Sequence, residues 1–219
     1  MVELKEKSVV ILSGGPDSVS VLYWSKAQGH DVHAITFDYG QKAKIEIEYA
    51  SRHAKTLNIP HKIIDLSQLK HIYQGVTSLV DTEMEVSSNF TDPIIVPFRN
   101  GIFMAVAVAY AEGIGATEIY YGAHASDEPF YPDCRQEFYE AFEQAARLGT
   151  EHPFEILSPF SNITKAELLT EANNLGVPLK QTWSCYLNGP LHCGICESCL
   201  NRKIAFKHAN IKDPTIYKV

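Results

Sequence analysis

The stretch SVVILSGGPDSVSVLYW, residues 8–24, passes from an apolar strand into a helix through one crowded turn. An ordinary strand-to-helix turn needs one flexible residue and one cap, whereas this one carries Ser13, Gly14, Gly15, Pro16, Asp17 and Ser18 directly after Leu12. Glycines there let main-chain N–H groups approach an anion closely, and the helix start adds unpaired donors and the positive end of a dipole. Ser13 and Ser18 contribute hydroxyls, and Pro16 suits a first helical turn, where its missing N–H costs nothing. Asp17 is the odd member, because a carboxylate repels phosphate. It either caps the helix or holds a Mg²⁺ ion that screens phosphate charge. The turn matches neither G-x-x-x-x-G-K-S/T nor G-x-G-x-x-G.

Strand and helix patterns alternate onward. Residues 31–38 and 61–66 read as strands with a helix between them over 42–58, and 117–124 and 154–160 as two more strands. Residues 96–116 predict a buried helix, 135–149 an amphipathic one, and Thr164 to Glu167 a capping box opening a helix that stops at Gly176. Residues 67–91 have weak periodicity and predict a long mobile connection. The fold class expected is α/β, a doubly wound parallel five-stranded sheet, as an α/β body over 1–180 with a metal-binding segment over 181–219. Ligands of such sheets sit beyond the carboxyl ends of the strands, where Ser13–Ser18, Asp38–Gln41 and Gly122–Asp127 fall.

A net charge of −7 argues against a broad grip on nucleic acid. The most apolar run, Ile102 to Ala111, falls short of the roughly 20 residues a bilayer requires. The charged start of the chain does not read as a signal peptide, so a cytoplasmic protein without a membrane partner is expected. Four of the five cysteines, Cys185, Cys193, Cys196 and Cys199, lie within one short stretch. Four thiolates on short loops describe a closed tetrahedral zinc site, and the C-x2-C-x2-C spacing leaves an iron–sulfur cluster as the rival. His192 reads as a neighbour of that site. Cys134 is either a nucleophile or a small buried apolar residue.

Other residues admit two readings each. Asp38 reaches a metal or ribose, or forms a turn ahead of Gly40. Arg99 and Asn100 cap a helix or line a nucleotide wall. Asp133 accepts from the N–H edge of a guanine-like base and Arg135 pairs a carboxylate, or both make surface ion pairs. Lys165 stands in the first turn of a helix, a poor place for a cation unless an anion lies beside it. His124 and Asp127 line a pocket or belong to an ordinary loop.

The turn resembles the Ser-Gly-Gly-x-Asp-Ser signature of the PP-loop ATP pyrophosphatases, which cleave ATP between its α- and β-phosphates and adenylate a substrate. FDYGQK (37–42), PFRN (97–100), YPDCR (131–135), KQTWSCY (180–186) and CGICESCLNRKIAF (193–206), in this order, are similar to the 7-cyano-7-deazaguanine synthase family, from residue 8 to about 206. The resemblance implies ATP held by Leu12 to Ser18 with Asp38, Arg99 and Asn100. It implies substrate held by Tyr131, Asp133 and Arg135, chemistry assisted by Asp17 and Lys165, Mg²⁺ with the ATP, and Zn²⁺ on the four cysteines. The implied reaction adenylates 7-carboxy-7-deazaguanine, adds ammonia, then adenylates the amide and releases a nitrile. A homodimer is implied too. Phe130 stands where the family usually has glycine, and Ala43 where it commonly has histidine. A tRNA-thiolating PP-loop enzyme is the alternative, disfavoured by the acidic charge, as is a non-enzymatic zinc module by the α/β body ahead of the cysteines.

Overall fold

The computed structural model describes residues 6–88 and 94–219. Strands β1 (Lys7–Ile11), β2 (Asp31–Asp38), β3 (His61–Asp65), β4 (Glu118–Tyr120) and β5 (Glu155–Leu157) form one sheet. Its order is β3-β2-β1-β4-β5 and every neighbouring pair is parallel. The helices are α1 (Pro16–Ala27), α2 (Ile45–Thr56), α3 (Lys70–Tyr73), α4 (Arg99–Ile114), α5 (Gln136–Leu148), α6 (Lys165–Asn174) and α7 (Glu197–His208).

The β1 sequence is apolar at successive positions because both faces are covered. Val9 packs with Ile119, Ile156, Phe103, Met104 and Tyr139, the side of α4 and α5. Val10 packs with Val19, Leu22, Ala50, Leu168 and Phe206, the side of α1, α2, α6 and α7. Both valines are fully buried, each worth roughly 1.5–3 kcal/mol of apolar transfer. The sheet is doubly wound as its alternating pattern predicts. Its order reverses between β1 and β4, so the loops after those two strands diverge and leave a crevice.

Three local expectations are corrected. Residues 67–88 are not a loose connection: a 3-10 turn (Ser67–Leu69) leads into α3, and Tyr73, Leu79 and Val80 are buried. Tyr73 anchors this segment by donating its hydroxyl to Pro97 O at 3.0 Å; the remainder, 89–91, lies outside the described residues. β4 ends at Tyr120 rather than 124, because the chain turns there to form the 121–127 loop. The cysteines are not all on loops, since Cys196 precedes α7 and Cys199 lies in its first turn. Ala205 and Phe206 of α7 enter the same core as Leu168 and Val19, so 181–219 shares its apolar interior with the α/β body. Among the described residues no helix is long and apolar enough to cross a membrane.

Candidate functional site

The turn after β1 is built by its own serines. Ser13 N donates to Ser18 Oγ at 3.0 Å, the two hydroxyls lie 3.0 Å apart, and Gly15 N reaches Ser13 Oγ at 3.3 Å. Gly15 is the helix N-cap without a side-chain cap, and Pro16 begins α1. Gly14 adopts φ +86°, and a Cβ there would lie 2.8 Å from Ala50 N, so only glycine lets the turn seat on α2. Opposite, a Cβ on Gly122 would lie 2.8 Å from Ser18 N, which brings the end of β4 against the first turn of α1.

Asp17 does not cap α1; both its carboxylate oxygens accept from Lys165 Nζ in the first turn of α6. The α6 capping box, with Thr164 N donating to Glu167 Oε2 at 2.7 Å, sets where Lys165 emerges. His124, 7% exposed at its side chain, stands between two acids: Nε2 is 3.8 Å from Asp17 Oδ1 and 3.6 Å from Asp127 Oδ2. Burial raises the Asp17 carboxyl, but the charges of Lys165 and His124 and the Lys165 hydrogen bond outweigh it and hold it below its ordinary value. Burial and then Lys165 push His124 down to about 4, so its imidazole is neutral at pH 7. Burial and the Asp17 charge push Asp127 up to about 7.

These groups open into a cavity of about 1000 Å³ at the carboxyl edge of the sheet. Leu12, Ser13, Gly15 to Ser18, Arg99, Asn100, Tyr131, Asp133 and Lys165 line it. Phe98 at φ +56° turns the chain ahead of α4, a strained conformation for a bulky residue that lets Arg99 and Asn100 open the helix at the cavity. Arg99 Nη1 donates to Tyr39 OH at 3.2 Å. Asp133 Oδ2 accepts from Asn100 N at 2.9 Å, fastening the YPDCR segment to the start of α4. Gly14 is packed behind the turn. Asp38 faces away, bonded to Lys44 Nζ at 2.8 Å and Gly40 N at 3.0 Å. Arg135 borders a separate shallow cleft with Glu128 and Glu140, its Nε donating to Glu128 O at 3.2 Å. Cys134 is half-buried in the cavity wall, its thiol driven upward by burial and the Asp127 and Asp133 charges, as suits a packing residue more than a nucleophile.

The cavity also holds residues that the sequence did not single out. Glu46 stands on α2 with its carboxyl bonded to Gln41 Nε2 at 3.0 Å. Glu197 and Arg202 come from α7, and Trp183 and Ser184 from the segment before the cysteines. Trp183 and Ser184 lie within KQTWSCY and Glu197 and Arg202 within CGICESCLNRKIAF, yet an arginine beside a run of cysteines carries no signal of burial.

The four Sγ atoms of Cys185, Cys193, Cys196 and Cys199 lie within 4.8 Å of one another. The Cys193–Cys199 and Cys185–Cys196 separations are both 3.9 Å. A tetrahedral ion with metal–sulfur bonds of ~2.3 Å has sulfur–sulfur edges of ~3.8 Å. Leu187 N and Cys193 N donate to Cys185 Sγ, and Cys196 N to Cys193 Sγ, as thiolates require. Bonds from the neighbouring thiols and these N–H groups hold the Cys185 thiol well below its usual range. The set is able to hold a metal ion. His192 is not part of it: its Nε2 accepts from Ser184 N at 3.1 Å.

A parallel sheet reversing at β1/β4, with Ser-Gly-Gly-Pro-Asp-Ser at that point, is the PP-loop type of α/β fold. Solved structures share it at low identity: the NMN synthetase of Francisella tularensis (TM-score 0.54, 16% identical, covering 95% of this chain and 79% of that one) and the U34-tRNA thiolase NcsA of Methanococcus maripaludis with its 4Fe-4S cluster (0.54, 16%, 94% and 69%). Within that class the chain matches queuosine biosynthesis protein QueC over residues 7–210. It is 40% identical over 218 residues to the 7-cyano-7-deazaguanine synthase of Pseudoalteromonas translucida, covering 98% of this chain and 100% of that protein. It is 42% identical over 225 residues to that of Thermoplasma acidophilum, covering 98% and 93%. The chain belongs to the QueC family of 7-cyano-7-deazaguanine synthases.

Proposed function

We propose that this protein converts 7-carboxy-7-deazaguanine and ammonia to 7-cyano-7-deazaguanine at the expense of ATP, releasing AMP and pyrophosphate. The observation that carries the reading is the Asp17–Lys165 pair at the mouth of the Ser13–Ser18 turn, inside one large cavity. A volume of about 1000 Å³ lies at the top of the range for a single small ligand, roughly 300–1,000 Å³. It suits a nucleotide and a bicyclic base side by side.

A carboxylate is a poor acyl donor because oxide would have to leave. Attack of a carboxylate oxygen on the α-phosphorus breaks the α–β bond and gives an acyl-adenylate plus pyrophosphate. The N–H groups and hydroxyls of the turn and the Lys165 ammonium neutralise charge growing on that pyrophosphate. Ammonia adds to the acyl carbon and AMP departs, leaving the amide. A second ATP adenylates the amide oxygen, and loss of AMP with the remaining N–H protons leaves the nitrile. The protein's part is positioning and charge stabilisation, and no general base is assigned. Asp17, with Asp127 across His124, offers the hard oxygens that suit Mg²⁺, whose chemistry is to screen the phosphates. The cysteine set fits Zn²⁺ as a structural cross-link without an open position.

In the cavity wall, Arg99 and Asn100 would take the ATP and Tyr131 and Asp133 the deazapurine. Asp38 and Arg135 have poorer claims, being turned from the cavity. The test is incubation with ATP, ammonium and 7-carboxy-7-deazaguanine: AMP, pyrophosphate and nitrile are expected together. Pyrophosphate release that needs tRNA and ignores the deazapurine would favour a thiolase instead.

A further inference from the structure

The segment joining α6 to the cysteines grips the phosphate turn from behind. Trp183 N donates to Gly14 O at 2.9 Å. In a planar trans peptide the carbonyl of Gly14 and the N–H of Gly15 point in opposite directions. Holding that oxygen therefore fixes the direction of the Gly15 N–H, which here donates to Ser13 Oγ at 3.3 Å and so sets how that hydroxyl faces the turn. Glycines on both sides of this peptide leave it free to rotate unless something outside the turn fixes it.

What fixes it is tied to the metal centre. The Trp183 indole is 2% exposed, lies 4.2 Å from the His192 ring, and donates Nε1 to Cys185 O at 2.8 Å. Thus one residue holds the turn by its main chain and the first cysteine by its ring. Arg202, 2% exposed on the helix that carries Cys199, clamps the same segment. Its guanidinium donates to Leu179 O at 2.8 Å, and to Thr182 Oγ1 and Ser184 Oγ at 2.9 Å each. The segment is thereby held between the turn, through Gly14 O, and α7, through Arg202, with Cys185 at its end.

We infer that Trp183 and Arg202 are positioning residues that couple metal binding at the four cysteines to the shape of the Ser13–Ser18 turn. The inference rests on that turn being the nucleotide cradle. It makes the metal centre a support of phosphate binding as well as of the fold. Because coupling between two sites is reciprocal, an anion in the turn must in return tighten the hold on the metal.

The experiment follows metal release from the whole holoprotein to a chromogenic chelator, with inorganic pyrophosphate, with adenosine, or with neither. Calorimetry in parallel establishes which of them binds. Pyrophosphate, which fills only the turn, is expected to slow release by a factor within about 5- to 150-fold. Adenosine is expected to leave it unchanged. Trp183→Phe keeps a ring but loses the bond to Cys185 O, so its protection factor should fall toward one, and its KM should rise for ATP and not for the base. Equal release rates with bound pyrophosphate and without it would overturn the inference. Equal protection by adenosine would do the same, since that is general stabilisation of the fold. A Trp183→Phe protein with full protection would remove Trp183 from the coupling; should this variant not fold, the wild-type comparison decides. If neither ATP nor pyrophosphate binds at all, the cradle reading itself fails first.

Discussion

Lys165 occupies the first turn of α6, where the helix dipole disfavours a cation, and the Asp17 carboxylate offsets that cost. The two are 148 residues apart, so no local pattern pairs them. The misplaced lysine and the misplaced aspartate were each visible in the sequence as an anomaly; only the fold makes them one feature. Lys165→Met should lower kcat for AMP formation roughly 10²- to 10³-fold, the usual cost of one preorganised donor to developing charge. The KM for the base should barely move, and steady-state kinetics check both. Glu46 was not anomalous in sequence, being one of several acids near the start of α2. Burial pushes its carboxyl from 4.5 up to about 7, against the Gln41 hydrogen bond and the Arg99 charge. Between those values the folded protein holds a proton that the unfolded chain has released, so Glu46 costs stability increasingly as pH rises from about 4.5 to 7. Glu46→Gln should therefore raise Tm at pH 8 and match wild type at pH 4. The gain at pH 8 is on the order of 1–2 kcal/mol after allowance for partial exposure.

Elements with strong internal signals were legible. The capping box at Thr164 and Glu167 begins α6 where the sequence pattern places it, and the apolar run 102–111 lies inside α4. Residues 67–88 were not legible, because their order comes from contacts with distant chain, such as the Tyr73 bond to Pro97 O. α7 was hidden by its cysteines, which read as loop ligands, while the helix start positions Cys196 and Cys199 toward Cys185 and Cys193. At this scale the sulfur separations of 3.9 Å match the edges of a single four-coordinate ion, whereas a four-iron cluster spreads its thiolates over several iron atoms. Elemental analysis of the purified protein should find a single zinc ion per chain and no visible colour. A brown protein containing iron and sulfide would contradict this assignment.

For the whole molecule, alternating strands and helices predicted a doubly wound parallel sheet, and the sheet has that form. Strand order was not legible, because no strand carries a mark of its neighbour; only the partly exposed β3, with pattern His-Lys-Ile-Ile-Asp, hints that it lies at an edge. That order matters most for function: β1 beside β4 brings the Ser13–Ser18 turn against Gly122, and the β4 loop then supplies His124 and Asp127. α7 closes the same cavity from the far side with Glu197 and Arg202. The central claim is that both oxygens of the substrate carboxylate leave on the α-phosphate of ATP. Turnover of 7-carboxy-7-deazaguanine labelled with ¹⁸O in its carboxylate tests it most directly, with each product resolved by mass. Label should appear in the AMP released on amide formation and in the AMP released on nitrile formation, and nowhere else. Label in inorganic phosphate, in pyrophosphate or in water would contradict the account.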